Sequence, residues 1–522
     1  MFSREMMPRW RLSKPFFYLL LFLIPFQTRK IFSTGKSFYF DYHAFYNTWY
    51  LYLTDLIVLG VITAWVLENA FFSRENSQAD QTFLRGVIEK VSKDHIYLFM
   101  LAFWLTLATS LMFSRENGLG LYGLIKVTEF MLVFSYIREK IDFSREKFVI
   151  FLLILGSSCF QAGLGIWQYL NQYSAGFSLI GEEFLRPGLP GIAEFSSHGI
   201  VRSSIAQILP YLSTISADFS LNMRAYGTFP HPNVLAGFLF LGILANLYLL
   251  YFTPRPSILP HWWGRKGGGA HVKTLVLSLS LILLTTGQVV TFSRLAWAVT
   301  GLAIFVFFVL VLWRVRSRNF FHLKTGRQFL AGTYRPIALG LTAATLLLSL
   351  GMNWYLFGQQ IKDRLGYSED FVKYSSDESF VDRAKFNNVA VAMVKDKPLF
   401  GVGLRNFVVA MDDYAGERLL PYLHQPVHDI YLLIAAEAGV LALLTFVVFL
   451  LNIVRPAFAK ASAGRHAIGE DLILRYVLVL TFLGFLAIGF FDHYLWTIQQ
   501  GALMFWVVLG FLVSKKTASQ AV

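Results

Sequence analysis

From the N terminus the chain alternates long apolar stretches with shorter polar ones. Apolar runs lie near 12–28, 50–71, 95–112, 119–136, 148–170, 233–252, 274–292, 295–313, 337–357, 429–454, 472–491 and 495–514. A helix rises 1.5 Å per residue, so about 20 apolar residues cross roughly 30 Å of hydrocarbon. The pattern predicts twelve spans. The first is short and contains Pro15 and Pro25, but no small-residue cleavage site follows it, so it reads as uncleaved. The stretch 274–313 is interrupted only by Ser and Thr residues, Gln288 and Arg294. It is far too long for one crossing. The chain must turn near Ser293 and Arg294, which puts that arginine at a membrane surface.

Composition agrees with the pattern. The 522 residues are 55% hydrophobic and 15% charged, against about 25% charged in soluble proteins. A water-soluble globule and a disordered chain are excluded, and the single Cys159 excludes a disulfide framework. The expected fold class is all-α: one polytopic membrane bundle over 1–522, with about 12 transmembrane helices and larger loops at 171–232 and 358–428. Charge gives the orientation. The inter-span segments on the side of both termini hold 28 of the 46 Lys and Arg against ten acids, whereas the opposite set holds 17 of each. One loop on the terminal side carries Arg314, Arg316, Arg318, Lys324, Arg327 and Arg335 without an acid. Positive-inside bias puts both termini in the cytoplasm and the two large loops outside. The net +14 therefore orients the chain and does not call for nucleic acid.

With that orientation, spans six, eight and ten present their N-terminal ends to the outer face. Such an end offers unpaired N–H groups and about half a positive charge. Pro232 suits a first helical turn and Ser293 an N-cap. Arg224 and Arg294 beside these ends would bind an anion at the membrane surface, and the natural ligand is a phosphate or diphosphate on something lipid-soluble. His428 starts span ten, where an imidazolium is disfavoured, so it suits a general base; adjacent Asp429 pulls the other way. His424 and His428 lie four apart, but Pro426 between them argues against one regular helix, and no acidic or cysteine ligand is suitably spaced. No metal and no cofactor are expected. Glu437, costly in hydrocarbon, must face the bundle as a hydrogen-bonded group. Lys126 and Glu129 can neutralise each other. In the loop 358–428, Ser379 and Asp382 form a capping-box pattern ahead of Phe386, Val389, Ala390, Met393 and Val394 on one helical face. That helix would lie on the bilayer, cover a cavity or pack on neighbouring loop segments.

These segments in combination resemble the O-antigen ligase and O-antigen polymerase superfamily of bacterial membrane glycosyltransferases. The resemblance is carried by Gly227 to Gly237 (GTFPHPNVLAG), the Ser293-Arg294 turn, Pro398 to Phe407 (PLFGVGLRNF), His428 through Gly439, and Asp492 to Thr497 followed by Gly501. It runs from about 224 to the C terminus, with the ligase-like core at 224–454, and implies a GT-C-like bundle. It further implies transfer of a glycan from undecaprenyl diphosphate to an acceptor hydroxyl at the outer face of the cytoplasmic membrane, with inversion. The acceptor would be the lipid A core for a ligase or a second lipid-linked glycan for a polymerase. Arg224 and Arg294 would hold the diphosphate and His428 would be the base, with His424 the second choice because the family often has Asn where this chain has Asp429. His231, Asn233, Ser293, Asp429, Glu437, Arg405 and His493 would support them. A lipid-linked glycan flippase would be expected to show internal repeats and ionisable groups near the midplane of several spans; no repeat is found, and the candidate residues gather on one face. A non-catalytic protein of envelope assembly would use the outer loops only for docking.

Overall fold

A computed structural model describes residues 12–32, 38–39, 42–43, 45–73, 93–189, 191–197, 220–252, 268–319, 329–366, 376–416, 419, 423–463 and 469–514. Both extreme termini, Lys324, Arg327 and residues 198–219 lie outside them. Among the described residues nine helices are long and apolar enough to cross a membrane. They are α3 (His95–Ser110, continued to Phe113 by a 3-10 turn), α4 (Asn117–Lys140), α5 (Phe143–Asn171), α6 (Pro232–Phe252), α7 (Gly268–Val290), α8 (Arg294–Asn319), α9 (Phe329–Leu365), α12 (Ile430–Ala463) and α13 (Gly469–Gly489). Three more helices occupy the remaining predicted spans: α1 (Ser13–Leu23), α2 (Leu53–Ser73) and α15 (Gln499–Leu512). The polytopic all-α bundle expected from the hydropathy pattern is the observed fold.

Two predicted spans come out shortened. α1 has 11 residues and stops before Pro25, which cannot continue its hydrogen bonding. The last span is split: α14 (Tyr494–Thr497) and α15 meet at Ile498, whose extended backbone ends one helix and begins the next. Short two-stranded pairings lie outside the helices, β1 (Arg29–Phe32) with β4 (Trp49–Tyr52), β2 (Phe38–Tyr39) with β3 (Tyr42–His43), and β5 (Glu194–Ser197) with β6 (Ser220–Met223).

α6 is apolar all round and is buried along its length apart from Asn233, as a helix without a polar face must be. α5, α7, α8, α9, α13 and α15 all touch it. The predicted Lys126–Glu129 pair forms at 3.5 Å, and Asp55 from α2 pairs with the same ammonium. Gln499 Nε2 donates to Asp55 Oδ1 at 2.6 Å, so this buried charge group is closed by three helices.

The loop 358–428 contains α10 (Ser376–Asp396), which starts three residues before the predicted Ser379, and α11 (Phe407–Tyr414). Phe386, Val389, Ala390 and Met393 of α10 pack on Val402, Phe407, Val408 and Met411 and on Leu433 and Ala436 of α12. Between α10 and α11 the chain from Pro398 to Gly403 docks on α12 where that helix breaks. Gly439 there has φ 86° and ψ 168°. Val402 N donates to Ala436 O at 2.9 Å, Gly403 N to Glu437 O at 2.8 Å and Val440 N to Pro398 O at 2.8 Å. The break thus exchanges intrahelical bonds for bonds to the docked loop. A Cβ on Gly439 would collide with the Leu399 carbonyl.

Gly439→Ala should therefore destabilise the protein by about 2 kcal/mol or more, from the left-handed backbone and the collision together. Gly301, in α8, has nothing within 4 Å of its added Cβ, so Gly301→Ala should leave stability unchanged or raise it slightly. Thermal unfolding of both variants in detergent checks this; equal melting temperatures would refute the account of the break.

Candidate functional site

The turn that carries Arg224 is held by two buried glutamines of α5. Gln168 Oε1 accepts from Tyr226 N at 3.1 Å and Gly227 N at 2.7 Å, and its Nε2 donates to Gly227 O at 2.8 Å. Gln161 Oε1 accepts from Thr228 N at 2.8 Å, and its Nε2 donates to Thr228 Oγ1 at 2.9 Å. Gly227 has φ 62°, and a Cβ there would meet Gln161. The turn feeds Pro232, the first residue of α6. Arg224 itself is 6% exposed. Its Nε donates to Thr291 O at 2.6 Å and its Nη2 to Asn233 Oδ1 at 2.7 Å. Asn233 Nδ2 in turn donates to Asp492 Oδ2 at 2.7 Å.

The turn between α7 and α8 brings in Ser293 and Arg294. Phe292 has a left-handed backbone, φ 48°, and its carbonyl accepts from Arg364 Nε at 3.1 Å. Ser293 precedes α8, and its carbonyl accepts from Trp297 N at 3.0 Å. At the start of α12, Asp429 is the cap: its Oδ1 accepts from Tyr431 N at 2.8 Å and Leu432 N at 3.0 Å. Asp and Asn cap helices equally well, so either would fill this role. His428 stacks on Phe386 of α10, with ring centroids 5.8 Å apart. It meets His493 edge-on at 4.9 Å. Its Nδ1 is buried without a hydrogen-bond partner among the described residues.

These elements enclose a cavity of about 400 Å³, lined by Arg224, His231, Asn233, Ser293, Arg294, Arg364, Asp382, Arg383, Phe386, Gln425, His428, Asp492 and Tyr494 among others. Four guanidinium side chains face two carboxylates. Burial lowers the Arg224 pKa to about 10, with Asp492 opposing and Arg294 and Arg383 adding to the fall; Arg224 stays charged at neutral pH. Burial drives His231 down to about 3, with Arg224 adding to it. Burial likewise takes His493 to about 3, with His428 contributing. His428 falls below the usual 6.5 mainly through burial, against the pull of Asp492. Burial pushes the Asp492 carboxyl up, but the surrounding imidazoles and the Asn233 amide hold it below its ordinary value. The cavity is therefore cationic, and the imidazoles in it are neutral at pH 7.

Of the residues singled out from sequence, Arg224, Arg294, His428, His231, Asn233 and Ser293 line this one cavity. Asp429 caps the helix beneath it, and His493 stands behind His428, its Nδ1 2.7 Å from Thr497 Oγ1. His424 lies elsewhere, its Nε2 3.1 Å from Asp412 Oδ1. Arg405 and Glu437 line a second, narrower cavity. Sequence reasoning missed Arg364 and Arg383. Arg383 could have been found, since it sits one turn ahead of Phe386 at the start of the amphipathic face of α10. Asp492 was noticed only within the Asp492-to-Thr497 hairpin.

Fold and site together define a polytopic membrane protein with a cationic cavity where several helix ends converge. Residues 279–447 match the family model described as O-antigen ligase, and with it the resemblance to the O-antigen ligase and polymerase superfamily holds. That stretch is similar to O-antigen ligases, and the long apolar helices around it are those of a multi-pass membrane protein. No curated protein matches the chain. The matched stretch contains Arg294, Arg364, Arg383 and His428, while Arg224 and Asp492 lie on either side of it.

If Asp429 acts as a cap, Asp429→Asn keeps wild-type stability and Asp429→Ala costs about 1 kcal/mol. Thermal unfolding of the two variants side by side measures the difference; a loss of stability in Asp429→Asn as large as in Asp429→Ala would refute the assignment.

Proposed function

We propose that the protein transfers a glycan from undecaprenyl diphosphate to an acceptor hydroxyl at the outer face of the cytoplasmic membrane, with inversion and without a metal ion. The observation that carries this reading is the gathering of four arginines and a neutral histidine around one cavity at the ends of membrane helices. A lipid diphosphate needs a cationic pocket that opens at the membrane surface. Arg224 and Arg294 hold the diphosphate, and Arg364 and Arg383 add to the same field. The charge distribution supports the sidedness: the loops that build the cavity belong to the set with no net charge, and the excess of basic residues lies on the other side.

The chemistry balances with these residues alone. The acceptor oxygen attacks the anomeric carbon from the face opposite the diphosphate. Its proton passes to His428 as the bond from the anomeric carbon to the phosphate oxygen breaks. The lipid diphosphate leaves with the electron pair and its growing negative charge. The guanidinium groups, fixed by the Thr291 and Phe292 carbonyls and by Asn233, stabilise that charge without reorganising. Because the diphosphate is already a competent leaving group, positioning and charge neutralisation supply most of the acceleration. The acceptor is the lipid A core in a ligase or a second lipid-linked glycan in a polymerase.

In a deletion strain, Arg224→Ala, Arg294→Ala and His428→Ala at wild-type protein levels should each fail to restore the surface glycan, with a loss of transfer of about 100-fold or more. Short unpolymerised units would identify a polymerase and long chains retained on lipid diphosphate a ligase; full complementation by all three variants would overturn the mechanism. The rate should also depend on pH. His428 must be neutral to take the proton, and its pKa lies below 6.5. Transfer by the purified protein should therefore rise with pH to a plateau reached before neutrality. A limb centred above pH 7 would contradict His428 as the base.

A further inference from the structure

The second cavity lies on the other side of the segment that carries His428. Gln425 and His428 line the cationic cavity, whereas Pro426 lines this one, together with Tyr50, Tyr122, Arg405, Glu437 and Trp496. His493 separates the two: its ring is 4.9 Å from that of His428 and 5.4 Å from that of Tyr46, and Tyr46 also lines the second cavity. Its volume is about 40 Å³, room for about three water-sized groups. Aromatic rings surround it, and a guanidinium, a carboxylate and the Gln499 amide reach it.

Arg405 is held there against its own preferences. Its backbone is left-handed, φ 55°, a conformation that a residue with a long side chain seldom adopts. Its Cγ and Cδ run across Gly123, where an added Cβ would come within 2.8 and 2.7 Å of them. The guanidinium carbon lies 5.1 Å from the centre of the Tyr122 ring. Its Nε is buried without a hydrogen-bond partner among the described residues. A strained backbone and an unsatisfied buried donor at one residue both cost free energy, and such costs gather where a ligand is recognised.

We propose that this cavity is a saccharide subsite, which takes the hydroxyl-bearing edge of a pyranose while the ring stacks on aromatic side chains. The inference deepens the glycosyl-transfer reading and rests on it. Flat aromatic faces beside planar hydrogen-bonding groups fit a sugar, whose C–H faces are apolar and whose rim is hydroxyl. A lipid tail would leave the Arg405 guanidinium unsatisfied, whereas Glu437 already accepts from Phe407 N and Trp496 Nε1. Arg405 and Glu437 carry opposite charges, and Lys126, which also lines the cavity, is paired with Asp55 and Glu129, so the subsite suits a neutral sugar. The anchored residue belongs either to the donor glycan or to the acceptor.

The test uses the full-length protein in lipid nanodiscs and saturation-transfer NMR with two probes. One is the oligosaccharide released by mild acid from the lipid-linked donor, and the other is the acceptor oligosaccharide freed of its lipid. Wild type should give transfer to one of them, and which one identifies the source. Arg405→Gln and Gly123→Ala should each weaken that binding at least fivefold with thermal unfolding unchanged, Gly123→Ala because it displaces the Arg405 side chain without removing it. Affinity for inorganic diphosphate should stay at the wild-type value in both. Transfer to neither oligosaccharide in wild type, or unchanged binding in well-folded variants, overturns the subsite. Failure of wild type to bind inorganic diphosphate would instead overturn the diphosphate reading of the first cavity.

Discussion

Irregular backbone at a helix end in a membrane protein survives only if the protein itself satisfies each N–H and C=O that the helix no longer pairs. Three such places build the site, and each is solved differently. The 226–228 turn receives two glutamine side chains from α5. The break in α12 receives a strip of backbone, Pro398 to Gly403, which can come close only because Gly401 and Gly439 lack a Cβ. The turn between α7 and α8 receives guanidinium groups, Arg224 on Thr291 O and Arg364 on Phe292 O. The last solution places charge as well as satisfying carbonyls. Two of the cavity's four arginines are positioned by bonds that the turn itself requires, so the fold and the electrostatic field have the same cause.

The field is not balanced within the cavity. Four guanidiniums face two carboxylates, and the histidines add no charge because burial keeps them neutral. Mutual repulsion among cations in a partly desolvated space opposes folding. An anionic ligand would relieve it, so the same residues that destabilise the free protein favour binding of an anion. Neutral imidazoles follow from the same physics: the arginines that attract the anion also disfavour an imidazolium beside them. A cationic cavity and a histidine available as a base are therefore one arrangement rather than two.

How far this could be read from the sequence depended on the range of the interactions involved. Hydropathy is a local property summed over about 20 residues, and each of its twelve predicted spans coincides with a helix among the described residues; it overestimated α1 and the last span, where Pro25 and the extended backbone at Ile498 act against a regular helix. Arg224, Arg294 and His428 were legible because each lies beside a helix start marked by Pro232, Ser293 or the run into span ten. Arg364 and Arg383 were not. They belong to the end of α9 and to α10, and only tertiary packing carries them to the same cavity. His424 could be told from His428 only in three dimensions, since four residues of irregular chain turn it to Asp412. Arg405 lay in a recognised motif, but its left-handed backbone and its place across Gly123 depend on α4, more than 270 residues away in sequence.

The stretch matched by the O-antigen ligase family ends at 447, yet the cavity is incomplete without residues on both sides of it, and Asn233 shows how the parts are joined. Its Oδ1 accepts from Arg224 and its Nδ2 donates to Asp492. Only an amide satisfies both at once, and these two partners also fix which way the amide points. A carboxylate there would keep the bond to Arg224 and repel Asp492, and an amine would do the reverse. Without the amide between them, Arg224 and Asp492 would be free to approach and neutralise each other. With it, the guanidinium is oriented but not cancelled, and its remaining donors keep a positive charge at the cavity wall. One neutral side chain, at the first turn of the helix at the centre of the bundle, thereby keeps a cation and an anion apart while tying both in place.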